Sequence, residues 1–414
     1  MGASLHTDVV VIGGGSAGIA AAIACARQGL QVVLVEMNAY PGGKATAAEV
    51  GTVCGLYTFN KSENAEFLVK GFAKEFAELL QNKSNTKPLF NTDGLHYLPY
   101  NIESFKTVSF NLLQENNVSV YFNAALKSVQ TNNQKIIAVS IQTKNNSILI
   151  HLKSIIDCSG ISIISRLANL PFIESSHYQA AAQVFTMQGI NETSEARLGL
   201  IIMKAISNAI AKNQLAEFYN RIYIVPGSLK NNSISFKIGI PLAVTNTPEN
   251  LQQLKTLAHG FIETLSKFLI FNVSTFKNAS VKNIAPEVGI RVAHRSIGKY
   301  ILTEEDVLLC KKFDDGIANG SWPIEEWEQD KRVKMRYLPV DDFYRIPATS
   351  LQSASIDNLF FAGRNISATD TAIASARVMG ICLQTGYAAG CLAAASAKNI
   401  SIADAIVKIQ TDQL

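Results

Sequence analysis

The sequence predicts an α/β protein built on a parallel sheet and joined to a second, α+β unit. Three observations carry this prediction. "VVVIGGGSAG" at 9–18 and "LQVVLVEM" at 30–37 frame an alanine-rich stretch as strand, helix and strand, and such a βαβ unit forces parallel pairing with a right-handed crossover. Strand-like runs at 118–157 then point to an antiparallel meander inserted into that sheet. Finally, "IDNLFFAG" at 356–363 has the pattern of a buried strand, and a small-residue helix follows it at 371–395.

Taken in order, 9–12 is a short buried strand, 16–28 a helix able to lie close to a sheet, and 31–36 a second buried strand. Apolar residues recur at helical spacing over 63–80 (Phe67, Leu68, Phe72, Phe76, Leu79, Leu80), and another helix is expected near 102–115. "VSVYF" (118–122), "KIIAVSIQT" (135–143) and "SILIHLKSIID" (147–157) are expected to form the meander, with Asn145 and Asn146 turning between the last two. In the following region "RIYIV" and "SISFKIGI", joined through Asn231 and Asn232, predict a hairpin whose sheet can wall a ligand. Thr247 as N-cap and Pro248 at the first helical position open an amphipathic helix with the stripe Leu251, Leu254, Leu257, Phe261, Leu265 and Phe268. The domain division expected is 1–160 with 341–414 for the parallel-sheet domain, and 161–340 for a substrate or cap domain.

A chain of 414 residues that is 48% hydrophobic can bury a large core. Its net charge of +4 lacks the clustered basic face of a nucleic-acid binder. The six cysteines are scattered, with no C-x-x-C and no Cys/His cluster, so no metal site and a reduced, cytoplasmic protein are expected. The uncharged run 9–26 is not read as a membrane span or signal sequence, because three glycines interrupt it and no Lys or Arg precedes it.

Gly13, Gly15 and Gly18 fit G-x-G-x-x-G between a strand and a helix. Gly13 permits the tight turn, Gly15 lets a pyrophosphate approach the backbone, and Gly18 lets helix and strand pack closely. Glu36, 18 residues after Gly18, stands where an acid accepts hydrogen bonds from an adenosine ribose. A second Gly-Gly in "YPGGKATA" (40–47) supplies amides for a longer cofactor than NAD, and Gly363 closes on the same sheet.

These segments, with "IIDCSG" (155–160), "GIRVAHRSIGKYILTEEDVL" (289–308), "FDDGIANGSWPI" (313–324), "YRIPATSL" (344–351) and "NLFFAGRNISATDTAIASARVMGICLQTGYAAG" (358–390), resemble the FAD-dependent oxidoreductases. The flavin domain resembles the glutathione-reductase type, in the branch that includes fumarate reductase and succinate dehydrogenase flavoproteins. The resemblance implies a Rossmann-like FAD-binding domain with a meander insertion, and FAD as cofactor. It implies that Gly13, Gly15, Ser16, Ala17 and Gly18 hold the pyrophosphate, and that Glu36 with Met37 meets the ribose. Gly43, Lys44, Ala45 and Thr46 would lie beside pyrophosphate and flavin, and Leu126 at the adenine. Ser159, Gly160, Gly363, Arg364, Asn365 and Arg377 would line the rest of the cofactor, with the helix start near Thr371 aimed at the flavin. The chain departs from relatives at Ser159-Gly160-Ile161, where they tend to have Thr-Gly-Asp, and at Thr369-Asp370, where many have Thr-His.

Arg291 and Arg295 share one face if "GIRVAHR" is extended, and two guanidiniums suit a substrate carboxylate. The same groups can instead pair with Glu304, Glu305 or Asp306. His294, on the opposite face, is a candidate acid or base or a structural histidine. Cys54 follows the second Gly-Gly closely and is either near the flavin or an inert buried thiol; Tyr57 and Arg345 are weaker candidates. The function expected is two-electron exchange between bound FAD and a small organic substrate, carboxylate-bearing ones included, with an external electron donor or acceptor. A flavin-dependent monooxygenase or halogenase-like enzyme, with a protein or peptide side chain among its substrates, and a non-catalytic flavin-holding partner are the alternatives. The missing second G-x-G-x-x-G argues against a built-in NADPH domain.

Overall fold

A computed structural model describes residues 3–91, 93–175, 178–328 and 333–414. Its central sheet has the order Leu359–Phe361, Ser154–Asp157, Val9–Ile12, Val32–Val35 and Ser119–Tyr121, every neighbouring pair parallel. The middle strands are buried throughout, as a parallel sheet covered on both faces must be. Successive side chains alternate between two cores. Val9, Val11, Val32 and Leu34 meet the helices Ser16–Arg27 and Met379–Ala397. Val10, Ile12, Val33 and Val35 meet Ile136, Val139, Ile141 and Ile150 of the meander on the other face.

The meander differs from the expected one. "VSVYF" pairs with Val32–Val35 as the edge of the parallel sheet, because its backbone continues the sheet beyond that strand. The segment 147–157 is two strands: Ser147–His151 belongs to the meander, and Ser154–Asp157 returns to the parallel sheet after a break at Leu152 and Lys153. The missing meander strand is Ala125–Asn132, mostly solvent-facing and hence without an apolar signature.

Two helix expectations are also corrected. The chain is helical only over Gly71–Ser84, since 63–70 runs back along 56–58: Thr58 N–H donates to the Glu66 carbonyl and Leu68 N–H to that of Leu56. Phe67 and Leu68 therefore serve a strand-like pairing, and Leu79 lies exposed. The stretch 371–395 is two helices, Asp370–Ala376 and Met379–Ala397, whose axes meet at 96°. The ladder stops at Arg377 because Val378 is extended, which lets Gly380 lie against the Cys54 and Gly55 carbonyls.

A second sheet, in the order Ile222–Ile224, Ser233–Gly239, Ala182–Gln188 and Ser280–Ile284, is antiparallel throughout and contains the expected hairpin. Helices Glu195–Ala211 and Pro248–Asn272 cover one of its faces around Phe185, Ile234, Phe236 and Leu265. Thr247 caps the longer helix by accepting from Asn250 N–H. The buried stripe there is Leu254, Ala258, Ile262, Leu265 and Leu269, whereas Leu251 and Leu257 are exposed, so the inward face is rotated from the expected one. Among the described residues no single helix is long and apolar enough to cross a membrane, and no three His, Cys, Asp or Glu side chains gather as a metal site. All six cysteines are free.

The helices Ser16–Arg27 and Met379–Ala397 cross backbone to backbone. A Cβ on Gly390 would overlap the Ala21 carbonyl and stand 2.7 Å from the Ala24 Cβ. In an isolated helix Gly→Ala stabilises by about 1 kcal/mol; here Gly390→Ala is expected to lose roughly 1–3 kcal/mol through overpacking. Gly260→Ala, at a helical glycine with no neighbour within 4 Å of the added carbon, is expected to show the ordinary gain. Urea denaturation midpoints of the two variants check the opposite signs.

Candidate functional site

Four segments converge at the carboxyl ends of the parallel strands. Gly13, at φ +100°, lies so close to the next strand that an added Cβ would stand 2.6 Å from the Cys158 carbonyl oxygen. The glycine loop bridges to the second Gly-Gly, where Gly42 N–H donates to the Gly14 carbonyl at 2.8 Å and a Cβ on Gly43 would stand 2.9 Å from the Gly15 Cα. A Cβ on Gly160 would strike the Arg364 guanidinium, Asn365 accepts from Gly160 N–H at 3.0 Å, and Gly363 sits over Ala17. These close approaches form a cradle of backbone that side chains would fill. The helix Ser16–Arg27 opens there with no side-chain cap and no acid in its first turn, so its positive end faces the cradle free for an anion.

Glu36 is buried and accepts from Gly14 N–H at 2.6 Å and Asn38 N–H at 2.8 Å. Burial raises its pKa, against those two donors. Met37 is 71% exposed beside it, and Leu126, on the meander strand Ala125–Asn132, is half-buried against the core between meander and parallel sheet. Asp157, fully buried, accepts from Ser159 N–H and Oγ–H and from Ile164 N–H. It thereby fixes the 159–160 turn, while Asn365 donates to its backbone carbonyl. Thr46 is enclosed by its own turn, its hydroxyl donating to the Pro41 carbonyl.

Beyond the cradle lies a cavity of about 230 Å³ that Lys44, Ala45, Arg364 and Arg377 enter from the parallel-sheet side. Val184, Ile224 and Lys237 of the antiparallel sheet close it, so the hairpin does wall the cavity. Glu325 is its acid, accepting from Trp327 Nε1 at 2.8 Å and Trp322 Nε1 at 3.3 Å, and pairing with Arg377 at 3.5 Å. Burial would raise this carboxyl, but Arg377, Lys237 and Arg291 hold it below the ordinary range. Lys44 reaches Glu287 at 2.6 Å, and the same carboxylate accepts from Asn38 at 3.2 Å, tying the second glycine turn to the loop before Gly289. Cys54 lines the cavity, where burial pushes its thiol up to about 12.

The structure separates the two arginines read as a pair. Residues 289–294 are irregular, and strict alternation does not apply there. Arg291 lines the cavity, 4.2 Å from the Trp327 ring centroid, and donates to the Ala180 carbonyl. Arg295 is fully buried elsewhere, donating to Asp370, Ser175 Oγ and the Ala368 carbonyl. Its acidic partner is thus Asp370, in place of the expected Glu304, Glu305 or Asp306. His294 lies outside the cavity, edge-on to Phe172 and 3.9 Å from Glu174, its pKa lowered by burial and by Arg166. Tyr57 is buried against Phe67, and Arg345 stacks near Phe343; neither reaches the cavity. The helix beginning at Asp370 points at Arg295, whereas the cavity receives Val378 and Met379, the start of the next helix.

Sequence reasoning missed Lys237, Glu325 and the tryptophans. Two signals were present: Lys237 is a lone charge in the alternating strand "SISFKIGI", and both of the chain's tryptophans lie within 322–327 beside Glu325. Removing one partner of a buried ion pair costs about 3–5 kcal/mol. Asp370 is a third exposed, so Arg295→Leu leaves a partly solvated charge and is expected to cost less, roughly 1–3 kcal/mol in chemical denaturation, with FAD content per folded molecule retained.

The family described as FAD dependent oxidoreductase matches residues 8–411. A hydroxyneurosporene desaturase of Rhodobacter capsulatus is 61% identical over 42 residues, a match spanning 10% of this chain and 8% of that protein. A geranylgeranyl bacteriochlorophyll reductase-like protein from Thermoplasma acidophilum is similar in structure, with a TM-score of 0.52 and 14% identity over 99% of this chain and 83% of that one. A flavin-dependent brominase gives a TM-score of 0.51 and 12% identity over 98% and 83%; at such identities the likeness shows the fold. Because the family match runs through nearly the whole chain and its glycine segments form one cradle, this protein belongs to the FAD dependent oxidoreductases and is an oxidoreductase enzyme with FAD as its cofactor.

Proposed function

We propose that this enzyme exchanges two electrons between its flavin and a small organic anion, most simply a carboxylate. The flavin domain is read as the glutathione-reductase type, with Gly13–Gly18, Glu36, Gly43–Thr46, Ser159–Gly160 and Gly363–Asn365 along the cofactor. The observation that carries the substrate class is the charge of the cavity. Among the described residues it is lined by Lys44, Lys237, Arg291, Arg364 and Arg377 against the single acid Glu325. Lys44 and Arg364 stand beside the cradle and suit the cofactor's own negative charge, and Arg377 is committed to Glu325. Arg291 and Lys237, on the side of the antiparallel sheet, are the cations left to meet a substrate. Aliphatic Val184 and Ile224 beside them suit an apolar body.

FAD supplies the redox chemistry, and the chain's part is to bind, orient and exclude water. Arg291 presents a planar fork of donors that matches a carboxylate bidentately. The indole of Trp327 lies against that guanidinium, which restrains its rotation.

Anaerobic titration with a panel of small carboxylates bearing hydroxyl or amino groups is expected to bleach the flavin absorbance with at least one member, and neutral analogues are expected to leave it unchanged. Arg291→Met should weaken that carboxylate's binding about tenfold to a hundredfold, the worth of a charged hydrogen bond of roughly 1.5–3 kcal/mol, with FAD stoichiometry intact. Equal reduction by the neutral analogues would refute the anionic reading.

A further inference from the structure

We propose that Lys237 is the residue that exchanges a proton with the substrate in this cavity. The inference rests on the anionic-substrate reading and deepens it: the substrate would carry a hydroxyl or amine on the carbon that is oxidised.

The geometry singles out this side chain. Lys237 sits in the strand Ser233–Gly239, where residues alternate between the helix-covered core and the cavity face; Ile234, Phe236 and Ile238 take the core. Its ammonium lies 4.3 Å from the Trp327 ring centroid and 5.6 Å from that of Tyr223. The other cavity cations are held by oxygen acceptors: Lys44 by Glu287 and the Val288 carbonyl, Arg291 by the Ala180 carbonyl, Arg364 by that of Ile290, and Arg377 by Glu325 and Gln179. Lys237 has aromatic faces and, among the described residues, no hydrogen-bonded partner.

Its charged neighbours act together. Arg291 and Arg377 repel its ammonium, while Glu325, and Cys54 if ionised, favour it. Burial first and Arg291 second push its pKa down to about 8, from an ordinary value near 10.4. A neutral amine is thus available close to physiological pH, as a proton acceptor requires. Among the described residues, no other titratable group lining the cavity fits the task. Glu325 is held ionised by two indoles and Arg377, guanidiniums do not give up their protons, and the Cys54 thiol is raised to about 12.

Oxidation of such a substrate breaks a C–H bond and an X–H bond, with X oxygen or nitrogen, and forms C=X. Held in the cradle, FAD would supply the acceptor for the carbon-bound hydrogen, taken as hydride with the two electrons of that bond. The remaining proton passes from X to neutral Lys237 Nζ, which becomes ammonium; in the reducing direction the ammonium returns it.

Two measurements on the FAD-loaded protein test this. In the first, pulsed acetic anhydride labelling across pH, read by peptide mass spectrometry, is expected to give Lys237 a midpoint near 8 while exposed lysines follow the ordinary value near 10.4. In the second, sulfite is titrated against the flavin absorbance. Wild-type affinity is expected to weaken about tenfold as the ammonium deprotonates, the scale of one charge at close range. Lys237→Arg should stay tight through the same interval and Lys237→Met weak throughout, sulfite's own ionisation being common to all three. An ordinary labelling midpoint, or a Lys237→Met profile that tracks wild type, overturns the proposal. A Lys237 midpoint near 8 beside carboxylates that neither bind nor react overturns the substrate reading alone.

Discussion

Backbone-to-backbone approach at the carboxyl ends of the parallel strands is the constraint from which the rest of this structure follows. Gly13 touches the neighbouring strand, Gly43 faces Gly15, Gly160 lies under Arg364, and Gly390 admits the first helix to the long C-terminal one. Each contact is possible because a Cβ is missing, and together they bring four segments far apart in sequence to one point. The uncapped, positive end of the helix Ser16–Arg27 stands at that convergence. Residues set back from the cradle, such as Asp157, matter because they fix the turns that form it.

The second sheet completes the site by a different physics. One face is hydrophobic and sealed by two helices; the other gives the cavity Val184, Ile224 and Lys237. Its Lys237, with Arg291 and Arg377, surrounds one carboxylate, Glu325, that two indole N–H groups and Arg377 satisfy. Positive charge exceeds what the chain itself neutralises, so the cavity's electrostatics favour an incoming anion.

Much of the parallel-sheet domain was legible in the sequence, because glycine spacing, buried strands and Glu36 are local signals. The meander was misassigned at its ends since a strand's pattern does not say which sheet it joins, and Ala125–Asn132 is too exposed to carry an apolar pattern. The break at Val378 has no Pro to announce it, and the close approach of Gly380 to the Cys54 and Gly55 carbonyls that accompanies it is a tertiary contact. In the site, the arginine pair was inferred from alternation over 289–295, and alternation fails where the chain is irregular. Lys237 and Glu325 are joined only through the tertiary fold, 88 positions apart by their numbers, 325 less 237.

The contact of Gly363 with Ala17 also orders events in time. The glycine loop leaves the ribosome well before the segment that closes over it and the helix that packs behind it. A nascent chain therefore holds an open half-cradle until Gly363 and that helix have been made, and contacts of such long sequence separation form slowly. Firm retention of FAD awaits that closing segment.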